Sequence, residues 1–332
     1  MFSGGFYGWG MYLVSLLTMG GLYAVLALGL NIQWGFTGLF NAGIAGFFAI
    51  GAYASAILTT PESPNHLGGF ALPVPVGLAG AMVAAGLIAW PIGRICLRLR
   101  SDYLAIATIG IAEILRLVLK NEQWLTNGSR GISDLPRPFE GWPTPWWQLA
   151  FLGLVAAIVL ALYLLIERGR RAPWGRVMRA IRENSESAAA AGKDVVKFQL
   201  EAFVLGSMIM GLGGALMAHY SKFIGPEATE PLATTFLVWV MLIVGGSGNN
   251  RGAILGSLVI WTIWSATELF TTELPAVWAT RASYIRVFLI GLLLQLVLQR
   301  FARGLLPEKP PKPAEPDTPP AGRPAARGEN AG

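Results

Sequence analysis

Between Met1 and Arg94 the only side chain charged at neutral pH is Glu62. A water-soluble core of that length needs charged faces, whereas a bilayer-crossing helix needs about 20 predominantly apolar residues and is penalised by several kcal/mol for a charge at its centre. The chain is therefore expected to be all-α and polytopic, a membrane helix bundle. Its 54% apolar share and mean hydropathy of +0.53 agree. A single cysteine, Cys96, excludes an intrachain disulfide and a multi-cysteine metal site, and no metal ligand set is expected.

Windows of about 20 residues give about nine spans, with a range of eight to ten. They run roughly Met11 to Asn31, Gly38 to Thr59, Ala71 to Ile92, Tyr103 to Leu119, Gln148 to Ile166, Leu200 to His219, Leu232 to Val244, Ala253 to Phe270 and Ile285 to Gln299. The glycine-rich stretch Gly35 to Gly46, which carries Asn41, is a candidate for a broken or re-entrant helix. The first span lacks a basic leader and has a long apolar run, so it is expected to stay as a helix. Small residues at four-residue spacing, Gly77, Ala81 and Ala85, and again Ala42 and Gly46, predict close helix packing.

Basic residues set the expected orientation. Arg94, Arg98, Arg100, the cluster from Arg168 to Lys197, Arg251, Arg300, Arg303 and the tail fall on one side, against Lys120, Arg130, Arg137, Lys222 and Arg281 on the other. The positive-inside rule then places the N-terminus outside and the C-terminus in the cytoplasm. It also accounts for the net charge of +6 without nucleic acid, for which no recognition module is present. Residues 1–306 form the expected membrane domain, with an outside loop at 120–147 bearing anchor tryptophans and a cytoplasmic loop at 167–199. The proline-rich segment 307–332 is an expected disordered tail.

The cytoplasmic loop is the conspicuous water-facing element. Pro173 can open a helix at its first position, so a helix is expected to begin near Trp174. Val177, Met178 and Ile181 then share one face, bordered by Arg176, Arg179, Arg182 and Glu183. Ser185 is the expected cap of a second short helix and Gly192 its stop. Such a pair suits either a contact with another protein, through an apolar knob and charged rim, or an amphipathic helix lying on lipid.

Glu186, Ser187, Ala188 and Gly192 stand in the pattern of the Glu-Ala-Ala loop of ABC import permeases, with Ser187 for the first alanine and without the downstream Ile-x-Leu-Pro. Three further segments resemble the branched-chain amino acid permease family: NIQWGFTGLFNAGIAGFFAIGAYASAIL from Asn31, LRLRSDYLAIATIGIAEILRLVLKNEQWLTNGSRGI from Leu97, and RAIRENSESAAAAGKDVVKFQLEAFVLGSMIMGLGGALMAHY from Arg179. VGGSGNNRGAILGS from Val244 is similar to the family's glycine-rich turn. The resemblance is greatest to the second of the family's two permeases.

That resemblance implies a multi-pass subunit of an ABC importer in the bacterial plasma (inner) membrane. Implied partners are a homologous second permease, two cytoplasmic ATP-binding subunits, an extracytoplasmic substrate-binding protein and membrane lipid. The chain has no GxxxxGK[ST] loop, so ATP and magnesium belong to the partners and no enzyme activity or cofactor is expected here. The implied coupling residues are Val177, Met178, Ile181, Arg182, Glu183, Glu186, Ala188 and Gly192. Arg130 and Arg137 are candidate donors to the binding protein, and Asn41, Gly43 and Glu113 are candidates for the substrate path. Branched-chain amino acids are the implied cargo, with urea, short amides or sugars as alternatives. An ion-coupled transporter would instead use Glu113 and Arg116, which an ordinary ion pair also explains.

Overall fold

A computed structural model describes residues 2–64, 66–99, 101–229, 231–272, 288–289, 291–292, 294–300 and 304–308. The helices run in order α1 (Phe2–Leu30), α2 (Ile44–Thr59), α3 (Val74–Cys96), α4 (Ser101–Asn121), the single turn α5 (Gln123–Thr126), α6 (Trp146–Arg171), α7 (Pro173–Glu183), α8 (Ser185–Ala190), α9 (Val195–Ser221), α10 (Pro231–Gly245) and α11 (Asn250–Thr272). Local chemistry sets their ends. Prolines occupy the first turns of α3 and α7, where a missing N–H costs nothing. Asp194 caps α9 by accepting from Lys197 N at 3.0 Å, and α9 stops at Lys222 in a left-handed conformation.

Four described helices are long and apolar enough to cross a membrane: Gly8–Gly35, Val74–Cys96, Trp146–Arg171 and Val195–Ser221. Ile44–Thr59 and Thr234–Gly245 are shorter apolar helices. The expected second span begins later than the sequence suggested, at Ile44, because α1 runs into a π-helical turn over Asn31–Gly35 and the chain leaves helix altogether at 38–43. The expected fourth span is helical, but Asp102, Glu113, Arg116 and Lys120 lower its hydropathy. Residues 285–287, 290 and 293 of the expected ninth span, and the tail from Lys309, lie outside the described residues.

The core is organised around α9, which packs on α1, α2 and α3. Glycines make the packing possible. A methyl at Gly51 of α2 would fall on the backbone of Gly211 in α9, and one at Gly214 would fall on Phe48. Gly211 also meets α3, where a Cβ would stand 2.6 Å from that of Ala85 and 3.0 Å from the carbonyl of Ala81. The expected small-residue face of α3 is thus buried as a unit. At the α10–α11 turn, Gly245, Gly252 and Gly256 bring two backbones together with no side chain between them.

The connections collect at two ends of the bundle. At one, Asn31 donates to Asn250 (2.9 Å), Asn250 to Glu167 (3.1 Å), and Leu305 N to the carbonyl of Val244 (2.8 Å). At the other, Leu67 N donates to Trp124 (2.7 Å), and a short antiparallel pair joins Ile132–Ser133 to Phe223–Ile224.

The glycine contacts make a paired test. Gly51→Ala should destabilise the purified protein by about 1–3 kcal/mol through overpacking, whereas Gly110→Ala, with nothing within 4 Å of the added carbon, should be neutral or slightly stabilising. Thermal unfolding in detergent measures both, and equal midpoints would remove the glycines' packing role.

Candidate functional site

A helix broken inside a membrane exposes amide and carbonyl groups that lipid cannot satisfy, so the break at 31–43 must be paired within the protein. Gln33 pins the break to α9. Fully buried, its amide nitrogen donates to the carbonyl of Phe203 (2.7 Å) and to Ser207 Oγ (3.2 Å) on α9, and its amide oxygen accepts from Asn41 Nδ2 (2.8 Å). Asn41 Oδ1 in turn accepts from Gly43 N at 2.8 Å, and the Asn41 carbonyl accepts from Trp239 Nε1 at 3.1 Å. Two threonines take further amides: Ala42 N donates to Thr108 on α4 (3.0 Å) and Ala45 N to Thr235 on α10 (3.3 Å). Gly43 is held close to α4, where a Cβ would stand 2.7 Å from the Thr108 carbonyl.

Beside the break, α4 and α10 leave an open groove of about 610 Å³. Phe40 and Trp239 stack with centroids 4.3 Å apart and form one wall. Glu113 and Arg116 stand on α4 across from it, paired through Nε to Oε2 at 2.9 Å and Nη2 to Oε1 at 2.5 Å. The structure thus gathers Asn41, Gly43 and Glu113 into one neighbourhood, with a division of labour the sequence did not show. Glu113 lines the groove, while Asn41 and Gly43 lie behind the wall and fix its shape.

The helical loop is sewn to the same break from one end. Arg182 donates to the carbonyl of Gly35, its Nη2 pairs with Glu308 Oε2 at 2.7 Å, and its aliphatic stem packs on Gly38, which has a φ of +73°. Trp174 Nε1 donates to Glu201 at 2.9 Å. Met178 and Ile181 are buried, at 0% and 3% exposure, so the expected outward apolar knob is absent. These side chains hold α7 down on the chain's own core, because an apolar stripe adjoining a large apolar body is removed from water most completely against it. Val177 is half-buried, Ala188 is buried, and Glu183, Glu186 and Gly192 are exposed. The second cap is Asn184 rather than Ser185, accepting from Ser187 N at 2.8 Å. Gly192 ends α8 at a φ of +76°.

At the opposite end, Arg137 is not a free donor. It donates to the carbonyl of Tyr220 at 2.7 Å and lies 4.3 Å from the ring centroid of Trp147, so it ties its own loop to the bundle. Arg130 remains exposed. His219, fully buried, also holds this loop: Nδ1 donates to the Pro136 carbonyl at 2.7 Å, which in the neutral ring leaves Nε2 to accept from Ser55 Oγ at 2.8 Å. Lys222 pairs with Glu140 and holds that carboxyl below its ordinary range. Any stability from this pair is therefore complete at neutral pH and is lost only as pH falls through the lowered value.

Apolar helices packed about a hydrogen-bonded break define a multi-pass membrane protein. The chain belongs to the family described as branched-chain amino acid transport system / permease component, whose model matches residues 12–298. It is 32% identical to the high-affinity branched-chain amino acid transport system permease protein LivM of Salmonella typhimurium, over 90% of this chain and 71% of that one. It is 28% identical to the probable branched-chain amino acid transport permease protein LivM of Methanocaldococcus jannaschii, over 87% and 92%. It is also 27% identical to the permease LivH of Escherichia coli, over 74% and 81%. No solved structure matches.

Gln33→Leu should destabilise the protein by about 1–3 kcal/mol, because it strands the buried Asn41 amide without a partner. Ser207→Ala should cost less, since the Gln33 amide keeps its shorter bond to Phe203. Unfolding midpoints in the reverse order would reassign the network's keystone.

Proposed function

We propose that the chain is the permease subunit of an ATP-driven importer that passes branched-chain amino acids handed over by an extracytoplasmic binding protein. The family match carries the reading, together with relatives whose names state that transport. A homologous second permease completes the pathway, as the similarity to both LivM and LivH supports. Two cytoplasmic subunits bind and hydrolyse ATP with magnesium, and this chain contributes no catalytic group or cofactor. The complex sits in the bacterial inner membrane.

The topology proposed is nine spans with the N-terminus outside and the C-terminal tail in the cytoplasm. Support comes from the bundle's ends: Arg170, Arg171, Arg182 and Arg251 all lie at the end where α1, α6 and α11 meet, as the positive-inside rule requires of a cytoplasmic face. The loop at 120–147 then faces outward, where Arg130 is the remaining candidate for contact with the binding protein.

The α7–α8 pair is the proposed coupling element. Its exposed side, with Glu183, Glu186 and Gly192, meets the ATPase, while Met178, Ile181 and Ala188 hold the pair to the membrane body. Arg182 passes the movement on, because it grips the carbonyl of Gly35 at the mouth of the break whose other end frames the groove. Asn41 and Gly43 shape that part of the path and Glu113 lines it.

Proteoliposomes holding both permeases, the ATPases and the binding protein should accumulate leucine with ATP and without an ion gradient. Arg182→Ala should lower uptake about ten-fold or more, in line with loss of hydrogen bonds to a charged group, while ATPase co-purification persists. Glu186→Arg should instead weaken co-purification. Uptake driven by an ion gradient in the absence of ATP would sink the importer reading.

A further inference from the structure

A furrow of about 770 Å³ runs along the bundle where α6 and α11 part over α1. Glycines of α1 draw both helices down. A Cβ at Gly20 would stand 2.7 Å from Leu258 Cδ2 on α11, and one at Gly21 would stand 2.7 Å from Val155 Cγ1 on α6. Packed this way, α6 and α11 touch each other far less than either touches α1. The space left between them is floored by Gly21 and Ala24 and rimmed by Leu160 and Leu255, both exposed.

Hydrogen-bond donors gather at one end of this apolar furrow. Arg251, exposed in the first turn of α11, donates through Nε to the hydroxyl of Tyr163 at 3.0 Å. Among the described residues Tyr163 is the only side chain to which Arg251 hydrogen-bonds. The two terminal nitrogens of the guanidinium and the hydroxyl hydrogen of Tyr163 are therefore left to donate to something outside the chain. Glu167, one turn along α6, does not cancel the charge, because it already pairs with Arg170 at 2.6 Å and Arg171 at 3.0 Å. Glu308 is likewise taken by Arg182. The end keeps an excess of positive charge.

Length decides what kind of occupant fits. From Leu152 to Tyr163, α6 rises about 16 Å, and half of a hydrocarbon core is about 15 Å. The furrow thus covers one leaflet, with its donors at the headgroup end and nothing polar lining the other. A helix of a partner protein would use a face of the full membrane thickness and would not call for spare donors at one end. A phospholipid joins a chain one leaflet long to a phosphate.

We propose that this furrow is a binding site for an anionic phospholipid, whose phosphate accepts from Arg251 and Tyr163 while one acyl chain lies on Gly21 and Ala24. Arginine suits the phosphate because its planar fork can engage two oxygens. A headgroup with net negative charge is favoured over a zwitterionic one, whose ammonium the surplus guanidiniums repel, and basic pockets between membrane helices select anionic lipids in this way. The site belongs to the cytoplasmic leaflet on the orientation proposed above, and its chemistry does not depend on the cargo.

The test uses the purified complex, stripped of lipid in detergent and titrated with phosphatidylglycerol or phosphatidylethanolamine bearing the same chains, with bound lipid counted by native mass spectrometry. One phosphatidylglycerol should bind about ten-fold or more tightly than phosphatidylethanolamine, in line with hydrogen bonds to a charged group. Arg251→Gln with Tyr163→Phe should abolish that preference, and Arg251→Lys should keep part of it. Ala156→Phe, which fills the furrow and leaves the charges in place, should remove the tight site. Inorganic phosphate, with the charge but no chain, should not displace the lipid. A readout that needs no variant is phosphatidylglycerol carrying a photoactivatable group in its chain, which should crosslink to α6 and α11 beside Leu160 and Leu255. Equal affinity for the two lipids, an unchanged preference in the double variant, displacement by phosphate, or crosslinks confined to other helices each overturn the site. Loss of the second permease from the Ala156→Phe complex also overturns it, by making the furrow a contact between proteins. Failure of ATP-driven leucine uptake by the parent complex would remove the importer reading and leave this site standing.

Discussion

The absence of water at membrane depth governs this structure. A helix that stops inside the bundle leaves amides and carbonyls that only protein can satisfy, and the chain meets the demand with a few side chains, Asn41, Thr108, Thr235 and Trp239, while Gln33 ties Asn41 to α9. Each belongs to a different stretch of sequence or approaches from a different direction. As a result α1, α4, α9 and α10 are positioned by one hydrogen-bonded knot, and the glycine contacts of α9 with α2 and α3 let the backbones come close enough to close it.

The knot also joins the helical loop to the groove. Arg182 reaches the break from the loop side, while Asn41 and Ala42 carry it to the groove side. Between them lies the π-helical turn Asn31–Gly35, itself fastened to the start of α11 through Asn31, Gly248 and Asn250. Local irregularity of this kind recurs at functional positions, because a π turn can be absorbed or displaced without breaking the helix around it.

Much of this was legible in the sequence, for definite reasons. The missing charges before Arg94 announced membrane helices, Pro173 and Gly192 bracketed the helical pair, and the glycines around Asn41 marked the break. What escaped was tertiary. An amphipathic face states that it will be buried but not against what, so Met178 and Ile181 read as a surface for another protein although they serve the chain's own core. Arg137 likewise read as a free donor, because no sequence pattern announces a carbonyl contributed by Tyr220 from 83 residues away. Gln33 left a fainter signal: three amides, Asn31, Gln33 and Asn41, within an otherwise apolar run, each expensive unless paired with another.

The α10–α11 turn bears on how the groove can change width. With Gly245, Gly252 and Gly256 backbone to backbone, no rotamer can yield between these helices, so α10 cannot tilt without dragging α11, which is itself packed along α1. The aromatic wall behaves as a fixed jamb. Opposite it, α4 is held by backbone as well, with Gly46 of α2 against the Cα of Ala112 and Gly43 against the carbonyl of Thr108. Backbone contacts thus set both sides of the groove, and its width is written in the glycines rather than in side-chain rotamers.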